Sequence, residues 1–388
     1  MLTPPALHRV ELSPDAGIQY VSRFAGTRLV LVGDLMVDRY LRGRATRLSP
    51  EAPVPVVEVE GEEYVLGGMG NTCLNASALG AAVYPVGVVG EDEPGDEVLR
   101  MLSARQIATD GVLRDPARHT TVKTRLIADN QQVVRVDLET RKPISDGLAD
   151  RVIARVAARM AWASGLVVSD YLKGVLTEHV LSAIISMARQ QGKPVFVDPK
   201  HPDFRRYRLA TVITPNLKEA AAGSGIPIES ERDLLPAAAA LKAITACDNV
   251  LLTLGDAGMV LYDSTDTLFF VETAARQVFD VTGAGDTAIA AFSVAASSGV
   301  PMPAAMALSN LAAGLAVERE GTAQVSARDL LNELRRLKTA GAAATRPPSP
   351  GPFQGRPRPA ESTTTGWHSL FATASRGRSR LHSGGVEQ

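Results

Sequence analysis

The strongest constraint on the fold is a regular alternation of helical and strand patterns that begins near residue 148. Such alternation is typical of βαβ units, whose strands lie parallel in one sheet. The sequence therefore predicts an α/β fold with an open, mostly parallel sheet and helices on both faces. Helices are predicted at residues 148–163 and 177–191, and strands at 165–169, 194–197, 210–214 and 250–254.

Each of the four predicted strands is followed by a cluster of polar residues. Open α/β sheets bind ligands beyond the carboxyl ends of their strands, so we expect the four clusters to converge on one site. Any single cluster could instead consist of ordinary polar loop residues that bind no ligand. The candidate ligands are Lys173 after the first strand, Asp198 and Lys200 after the second, Asn216, Leu217, Lys218 and Glu219 after the third, and Thr253, Gly255 and Gly258 after the fourth.

A glycine-rich segment precedes the apolar stretch 288–296. Gly283, Ala284 and Gly285 are small, so backbone N–H groups can crowd around an anion at the positive end of the following helix. Asp286 stands where a carboxylate can accept the proton of an incoming hydroxyl while those N–H groups stabilise the developing negative charge. This pattern indicates phosphoryl transfer. Taken alone, however, such a motif is more often a plain turn with a capping Asp, so its assignment depends on the rest of the chain.

A first buried strand is predicted at residues 28–34, where a short apolar run ends at a glycine. Asp34 and Asp38 follow its carboxyl end, where a carboxylate can hydrogen-bond a polyol substrate. Both residues could instead cap a turn.

A second glycine cluster, which includes Gly68, precedes a helix of small residues at 72–79. Asn71 and Asn75 lie one helical turn apart and would point at the same space. We expect a second helix start that faces the ligand, although close packing would also explain the glycines.

Two segments outside the βαβ series, near 53–66 and 118–138, have strand character and predict a small β lid. Lys123 and Arg125 lie in the second segment and could bind a phosphate group, or could simply be solvated. Because a small sheet with an apolar face needs a cover, we expect a homodimer that forms through the lid.

Composition excludes several classes of partner. The chain has 388 residues, of which 45% are hydrophobic and 21% charged, with a formal net charge of -1, so nothing favours nucleic acid or a membrane surface. Its two cysteines have no metal-ligand spacing, and no secretion signal or long apolar run is evident. A cytoplasmic protein with reduced thiols is expected.

The domain organisation is predicted from composition along the chain. Residues 1–27 contain several prolines and are expected to form a poorly ordered lead, and residues 28–338 a single domain that includes the lid. Residues 339–388 are rich in Pro, Gly, Ser, Thr and Arg, so we expect a disordered, dispensable tail.

The motifs together resemble those of ribokinase-type (pfkB) carbohydrate kinases over roughly residues 28–335. The resemblance rests on Gly67, Gly68 and Asn71, on Asn216 with Glu219, and on the segment 283–286. A narrower similarity, to the heptose 7-phosphate kinases of that family, rests on the segments 49–55, 130–132, 169–174 and 198–217.

The resemblance implies a ribokinase-like fold and a set of roles in ATP-dependent phosphorylation. Asp286 would be the catalytic base and the 283–285 amides the anion hole. Glu219 would hold Mg²⁺ through water, and a monovalent cation is a further candidate cofactor. Asp38 and Asn71 would face the sugar. The resemblance implies nucleotide contacts at Asn216, Glu219, Thr253, Gly255 and Asn310, and the neighbouring Leu217, Lys218 and Gly258 complete the predicted set.

The narrower similarity implies phosphorylation of the anomeric hydroxyl of D-glycero-D-manno-heptose 7-phosphate, giving a 1,7-bisphosphate for a surface polysaccharide such as lipopolysaccharide core. The His-x-Gly-His motif of a fused nucleotidyltransferase is absent from the sequence, so a kinase-only form is expected. Two alternatives stay open: a ribokinase-type kinase for another sugar, and a non-catalytic sugar- or nucleotide-binding module.

Overall fold

A computed structural model describes residues 7–319 and 321–344 of the chain. Its strands form two sheets, a large one that makes the body of the domain and a small one that makes the lid. In chain order, the strands are β1 (Leu7–Arg9), β2 (Arg28–Gly33), β3 (Leu35–Leu48), β4 (Pro55–Gly68), β5 (Ala82–Gly90), β6 (Val112–Asp115), β7 (Thr121–Ala128), β8 (Gln131–Leu138), β9 (Gly165–Ser169), β10 (Val195–Asp198), β11 (Val212–Ile213), β12 (Asn249–Thr253), β13 (Met259–Tyr262) and β14 (Leu268–Val271).

The helices flank the large sheet. They are α1 (Pro14–Val21), α2 (Met69–Ala78), α3 (Glu93–Ala104), α4 (Asp146–Met160), α5 (Glu178–Gln190), α6 (Leu217–Ser224), α7 (Leu234–Thr245), α8 (Ala284–Ser297), α9 (Met302–Val317) and α10 (Ala327–Ala344), with short 3₁₀ turns at Phe204–Tyr207, Glu231–Asp233 and Gly255–Ala257.

The large sheet has the strand order β1-β14-β13-β12-β11-β10-β9-β2-β5-β6 and is parallel except for β13. Successive side chains of a strand point to opposite faces, and in β2 both sets are buried. Leu29 and Leu31 join the core beneath α2, α8 and α9, whereas Val30 and Val32 join the core beneath α4, α5 and α7. The predicted fold, an open and mostly parallel sheet covered by helices on both faces, is confirmed.

The lid is a four-stranded sheet with the order β4-β3-β7-β8. Strands β4, β7 and β8 overlap the two segments in which lid strands are expected, whereas β3 has no counterpart in the sequence prediction. Its first residues are buried and its later ones exposed. That change, together with four arginines, removes the regular alternation that identifies a half-buried strand. Because β3 runs on almost directly from β2, the lid is attached to the large sheet at the third strand from its β6 edge.

The structure corrects both predicted domain boundaries. Residues 1–27 are expected to be a poorly ordered lead, yet β1 pairs with β14, and α1 is capped by the Ser13 hydroxyl and packs on α10. Lys338 on α10 lies 2.6 Å from Asp15 on α1. Helix α10 continues to Ala344, past the predicted boundary at 338. The rest of the predicted tail, residues 345–388, lies outside the described residues.

Two further features bear on the predicted class of protein. Cys73 and Cys247 are both buried and form no disulfide. Over the described part of the chain, none of the helices is both long enough and apolar enough to traverse a bilayer.

Candidate active site

Asp286 lies in the first turn of α8, at the edge of the large sheet where the strands end. Gly283 precedes the helix with a positive φ of 78°, so the chain turns sharply before α8 begins. The Asp286 side chain is buried, with 5% of its surface exposed.

Three side chains donate hydrogen bonds to the Asp286 carboxylate. Asn71 Nδ2 lies 2.8 Å from Oδ2, while the hydroxyls of Thr72 and Tyr171 lie 3.2 and 2.6 Å from Oδ1. Asn71 and Thr72 come from the first turn of α2, and Tyr171 comes from the loop after β9. Two separate segments therefore fix the orientation of one carboxylate.

Burial has a clear electrostatic effect on Asp286. It raises the pKa of Asp286 to about 6, the hydrogen bonds from Tyr171, Asn71 and Thr72 oppose the increase, and the charge of Asp38 adds to it. Burial and then the negative charge of Asp286 raise the pKa of the Tyr171 phenol well above its ordinary value, so the phenol stays protonated and remains a donor. A carboxyl with a pKa near 6 is ionised at neutral pH and suits proton acceptance.

The two glycines before Asp286 have different surroundings. A Cβ atom on Gly283 would lie 2.7 Å from Asn71 Nδ2, the atom that contacts Asp286. A Cβ atom on Gly285 would meet nothing within 4 Å. Gly283 thus allows close packing around the carboxylate, whereas Gly285 faces open space.

A cavity of about 300 Å³, here called the apolar cavity, opens beside Gly285. Its walls are mostly apolar, which suits a flat heteroaromatic base. Asn310 Nδ2 donates to the Glu272 carbonyl oxygen at 2.7 Å and so ties α9 to the segment after β14. Five of the predicted nucleotide contacts line this cavity, as does Ala284: they are Asn216, Thr253, Gly255, Gly258 and Asn310.

Two other predicted nucleotide contacts lie elsewhere. The Leu217 side chain packs against the hydrophobic core beneath α7, so we assign it no ligand contact. Lys218 lines a separate pocket of about 200 Å³ next to Lys200 and Glu219. Leu217 and Lys218 follow Asn216 in sequence, but the helix points them in other directions.

Asn216 and Glu219 form a capping box at the start of α6. The Asn216 side chain accepts from the Glu219 N–H, and Glu219 Oε2 accepts from the Asn216 N–H, each at 3.0 Å. Glu219 Oε1 lies 2.6 Å from Lys200 Nζ. Both oxygens of Glu219 are thus engaged at the rim of a cavity of about 140 Å³, which Asp198 also lines.

Asp198 faces this small cavity from the end of β10. Burial raises its pKa well above the ordinary value, and the charges of Asp286 and Glu219 add to the increase. Asp198, Glu219 and Asp286 carry like charges close to one another, which favours the approach of a cation. Within residues 7–319 and 321–344, no three acidic, His or Cys side chains are grouped closely enough to hold a metal ion by themselves. That donor set fits a Mg²⁺ ion held mainly by phosphates and water.

A larger cavity of about 920 Å³, here called the arginine cavity, lies between the lid and α3. Its guanidinium groups come from Arg42, Arg100, Arg105 and Arg125, and Glu63 and Asp280 also line it. Asn130 and Gln132 from the turn before β8 and the start of that strand complete one wall. The sequence prediction included Arg125 but missed the other three arginines, which lie on β3 and near the end of α3, far from any strand end.

Asp38 and Arg125 connect the lid to the site. Arg125 Nη1 lies 2.5 Å from Asp38 Oδ1, and the guanidinium also stacks on the Tyr40 ring at 5.2 Å. Lys123, predicted to bind phosphate, and Lys173, predicted to be a ligand, are instead paired with carboxylates. Lys123 Nζ lies 3.2 Å from Asp137, and Lys173 Nζ lies 2.5 Å from Glu139.

The structure corrects the predicted roles of Asp34 and Asn75. Asp34 is 1% exposed, and its oxygens accept the backbone N–H groups of Tyr171, Lys173 and Val175 at 2.8–3.3 Å. Asn75 is fully buried and bonds Asn71, Thr287 and Val325. Both side chains are buried and already bonded within the protein, so we assign neither of them a sugar contact. Gly68 is the N-cap residue of α2, with φ 55°, and shapes the turn that presents Asn71 and Thr72.

This arrangement suits transfer of a phosphoryl group from a nucleotide to a hydroxyl, the chemistry of a small-molecule kinase. The chain belongs to the pfkB family of carbohydrate kinases, whose family model matches residues 26–329. The predicted family and class of enzyme, an ATP-dependent sugar kinase, are confirmed.

Similar proteins of known sequence include "Bifunctional protein HldE" from Citrifermentans bemidjiense, which is 44% identical over 81% of this chain and 65% of the relative. The protein of the same name from Rhodospirillum rubrum is 42% identical over 81% of this chain and 63% of the relative. The chain therefore spans less than two thirds of the length of these relatives.

Solved structures share the fold. Arabidopsis thaliana ribokinase, complexed with ribose and ATP, matches with a TM-score of 0.65 and 20% identity, covering 80% of this chain and 99% of that one. Escherichia coli phosphofructokinase-2, in complex with potassium, matches with a TM-score of 0.67 and 17% identity over the same shares of the two chains.

Proposed function

We propose that this chain transfers the γ-phosphoryl group of ATP to the anomeric hydroxyl of D-glycero-D-manno-heptose 7-phosphate, giving the 1,7-bisphosphate. The observation that carries the proposal is the position of segment 280–285 between two cavities of opposite character. Asp280 and Thr282 line the arginine cavity, whereas Val281, Ala284 and Gly285 line the apolar cavity. A nucleotide in one and a phosphorylated sugar in the other would meet at the start of α8, beside Asp286.

The proposed reaction is an in-line displacement. The sugar hydroxyl oxygen forms a bond to the γ-phosphorus, the bond to the bridging oxygen of ADP breaks, and the hydroxyl proton passes to the Asp286 carboxylate. Backbone N–H groups at the start of α8 stabilise the negative charge that develops on the transferred group. Most of the rate enhancement then comes from alignment and electrostatics.

Glu219, through water, and the neighbouring Asn216 and Asp198 are the residues that would hold Mg²⁺ at the small cavity. The bound ion would neutralise phosphate charge during transfer. Lys200 pairs with Glu219 in this structure and lies where it would also meet the nucleotide's phosphates. A monovalent cation is a further candidate, because a structure of the similar phosphofructokinase-2 holds potassium.

The arginine cavity supports a substrate that already carries a phosphate. Such a group brings about two negative charges, and guanidinium groups bind phosphate oxygens with two hydrogen bonds at once. We assign the distal phosphate to this cavity because it gathers four guanidinium groups in one place. Arg100 and Arg125 are paired with Glu97 and Asp38, just as Lys123 and Lys173 are paired with carboxylates of the segment 137–139, so the assignment rests on the number of cations that line the cavity. A kinase for a free sugar would need no such concentration of cations.

The similarity to proteins named HldE supports heptose as the sugar and, with it, a place in activated-heptose synthesis for a surface polysaccharide. We also propose that two copies associate through the lid. The strand β8 is exposed along its whole length and forms one edge of the lid sheet, so it is accessible to a second copy of the chain.

The test is a panel of acceptors with ADP release as the readout. The panel contains heptose 7-phosphate, free heptose, ribose, fructose, fructose 6-phosphate and a nucleoside. We expect turnover of heptose 7-phosphate with a kcat/KM at least about 100-fold above that of free heptose, as loss of charge-assisted contacts to phosphate predicts. Equal turnover of free heptose or ribose would reduce the proposal to a general sugar kinase. No turnover of any acceptor would favour a non-catalytic binding module.

A further inference from the structure

Tyr171 contacts Asp286 but has no role in the reaction outlined above. Building on the proposed function, we propose that Tyr171 is a positioning residue: with Thr72 it holds Asp286 Oδ1, so that Oδ2 is the oxygen that accepts the substrate proton. The phenol oxygen lies 2.6 Å from Oδ1; Asp286 is buried and Tyr171 is half-buried.

The assignment of the two oxygens follows from counting donors. A carboxylate oxygen has two lone pairs, so it accepts about two hydrogen bonds. Oδ1 already accepts from the hydroxyls of Tyr171 and Thr72, whereas among the described residues Oδ2 accepts only from Asn71 Nδ2 at 2.8 Å. The remaining lone pair on Oδ2 is therefore the one open to an incoming hydroxyl.

Tyr171 is held by a rigid loop. The Asp34 carboxylate accepts the backbone N–H groups of Tyr171 and Lys173 at 2.8 and 3.1 Å, so a buried side chain from the end of β2 fixes the start of the loop. Asp170 Oδ1 accepts from the Leu172 N–H at 2.9 Å, and Leu172 has a positive φ of 57°. These contacts orient the Tyr171 phenol toward Asp286. The buried Asp34 carboxylate therefore supports the loop that carries Tyr171.

The charges around Asp286 make its three donors important. The titratable groups that face it are Asp38 from β3, Asp198 from β10, Cys73 from α2 and Tyr171 itself, and α9, which packs against α8, contains no ionisable side chain. No cation among these groups stabilises the ionised carboxylate. Hydrogen bonds are what favour its charged form, and they lower the pKa that burial raises.

The test compares Tyr171→Phe with the wild type on whichever acceptor the wild type phosphorylates. Loss of the phenol hydrogen bond should lower kcat at neutral pH by about 10- to 100-fold, with KM for ATP nearly unchanged. It should also move the acid limb of the pH profile to higher pH, so that part of the loss is recovered at alkaline pH. A uniform loss at every pH would overturn the positioning role.

Two controls separate positioning from a general loss of structure. Tyr84→Phe removes a comparable bond, from the Tyr84 hydroxyl to Asp110 at 2.9 Å, near the other end of the strands, and should leave the pH profile unchanged. In an Asp286→Asn background, Tyr171→Phe should cause little further loss of kcat, because there is no carboxylate left to position. Additive losses in the double variant would contradict the proposal.

A final measurement needs no substrate. The carboxyl carbon signal of Asp286, identified by its absence from Asp286→Asn in ¹³C-aspartate-labelled protein, reports the pKa directly by NMR. Tyr171→Phe should raise that pKa even if the acceptor is not a heptose phosphate. An unchanged pKa would overturn the inference, whereas a panel without turnover would overturn only the proposed function.

Discussion

The guanidinium of Arg125 lies 2.5 Å from the carboxylate of Asp38, which joins the lid strand β7 to the first buried residues of β3. Asp38 in turn lies close enough to Asp286 for its charge to raise the Asp286 pKa. The Asp38 carboxylate therefore links Arg125 of the arginine cavity to Asp286, the proposed base.

Arg125→Ala tests the assignment of the distal phosphate. Loss of a charge-assisted contact to phosphate costs roughly 1.5–3 kcal/mol, so KM for heptose 7-phosphate should rise by about tenfold or more, with little change in KM for ATP. The matched control is Arg44→Ala, which removes another lid arginine whose partner, Glu60, is exposed. If Lys123→Ala raises KM and Arg125→Ala does not, the phosphate lies with the lysines.

Asp286→Asn tests the proposed base. An amide cannot accept the hydroxyl proton, so kcat should fall by a factor on the order of 10² to 10⁴. The fold and nucleotide affinity should be retained, since the substitution changes little volume and the apolar cavity is formed by other side chains. Steady-state kinetics with a nucleotide-binding titration will measure both. Activity within a few-fold of wild type would remove Asp286 from the mechanism.

The pH dependence follows from the same carboxyl. The base works only when it is ionised, and burial raises its pKa to about 6. We therefore expect kcat/KM to be level at and above neutral pH and to fall by about tenfold per pH unit below pH 6. A profile measured from pH 4.5 to 9, with thermal stability checked at each pH, will test this. An acid limb near pH 4 would mean that the base is a better solvated carboxyl.

The sequence could predict the part of the site that depends on local order. Asn216, Thr253, Gly255 and Gly258 follow strand ends, and parallel strands must bring their ends to one edge, so their convergence needs no knowledge of distant contacts. The same rule gave Asp34 a ligand role, which the structure corrects. Position at a strand end does not tell whether backbone N–H groups already occupy a carboxylate.

The rest of the site depends on contacts between segments far apart in the chain. Asn71 and Asp286 are 215 positions apart, and Tyr171 reaches Asp286 across 115. Arg42 meets Arg100 and Arg105 only because the lid folds toward α3. Nothing in their local sequence distinguishes them from solvated arginines on a strand or helix. Thr72 could have been predicted as a site residue from its position next to Asn71 at a helix start.

Association through the lid is tested by Val136→Glu. Val134, Val136 and Leu138 alternate along β8 on one face, and Val136 is 59% exposed. A charge at the centre of this face should shift the protein from dimer to monomer at micromolar concentration, as light scattering will measure. Leu337→Glu, on α10 away from the lid, is the control. A wild-type protein that is monomeric and fully active would contradict the lid dimer.

The paired substitutions Gly283→Ala and Gly285→Ala distinguish the two glycines before the base. Gly283 has φ 78°, and its new methyl group would lie 2.7 Å from Asn71 Nδ2, so Gly283→Ala should lower thermal stability and displace a donor to Asp286, reducing kcat. Gly285 lies inside α8, and a methyl group there meets no atom within 4 Å, so Gly285→Ala should fold as well as wild type. Because that open space is where the nucleotide's phosphates are proposed to lie, its effect should appear as a higher KM for ATP. Thermal unfolding and kinetics on both variants will measure the difference. Equal effects on stability and on KM would show that the two glycines serve the same purpose.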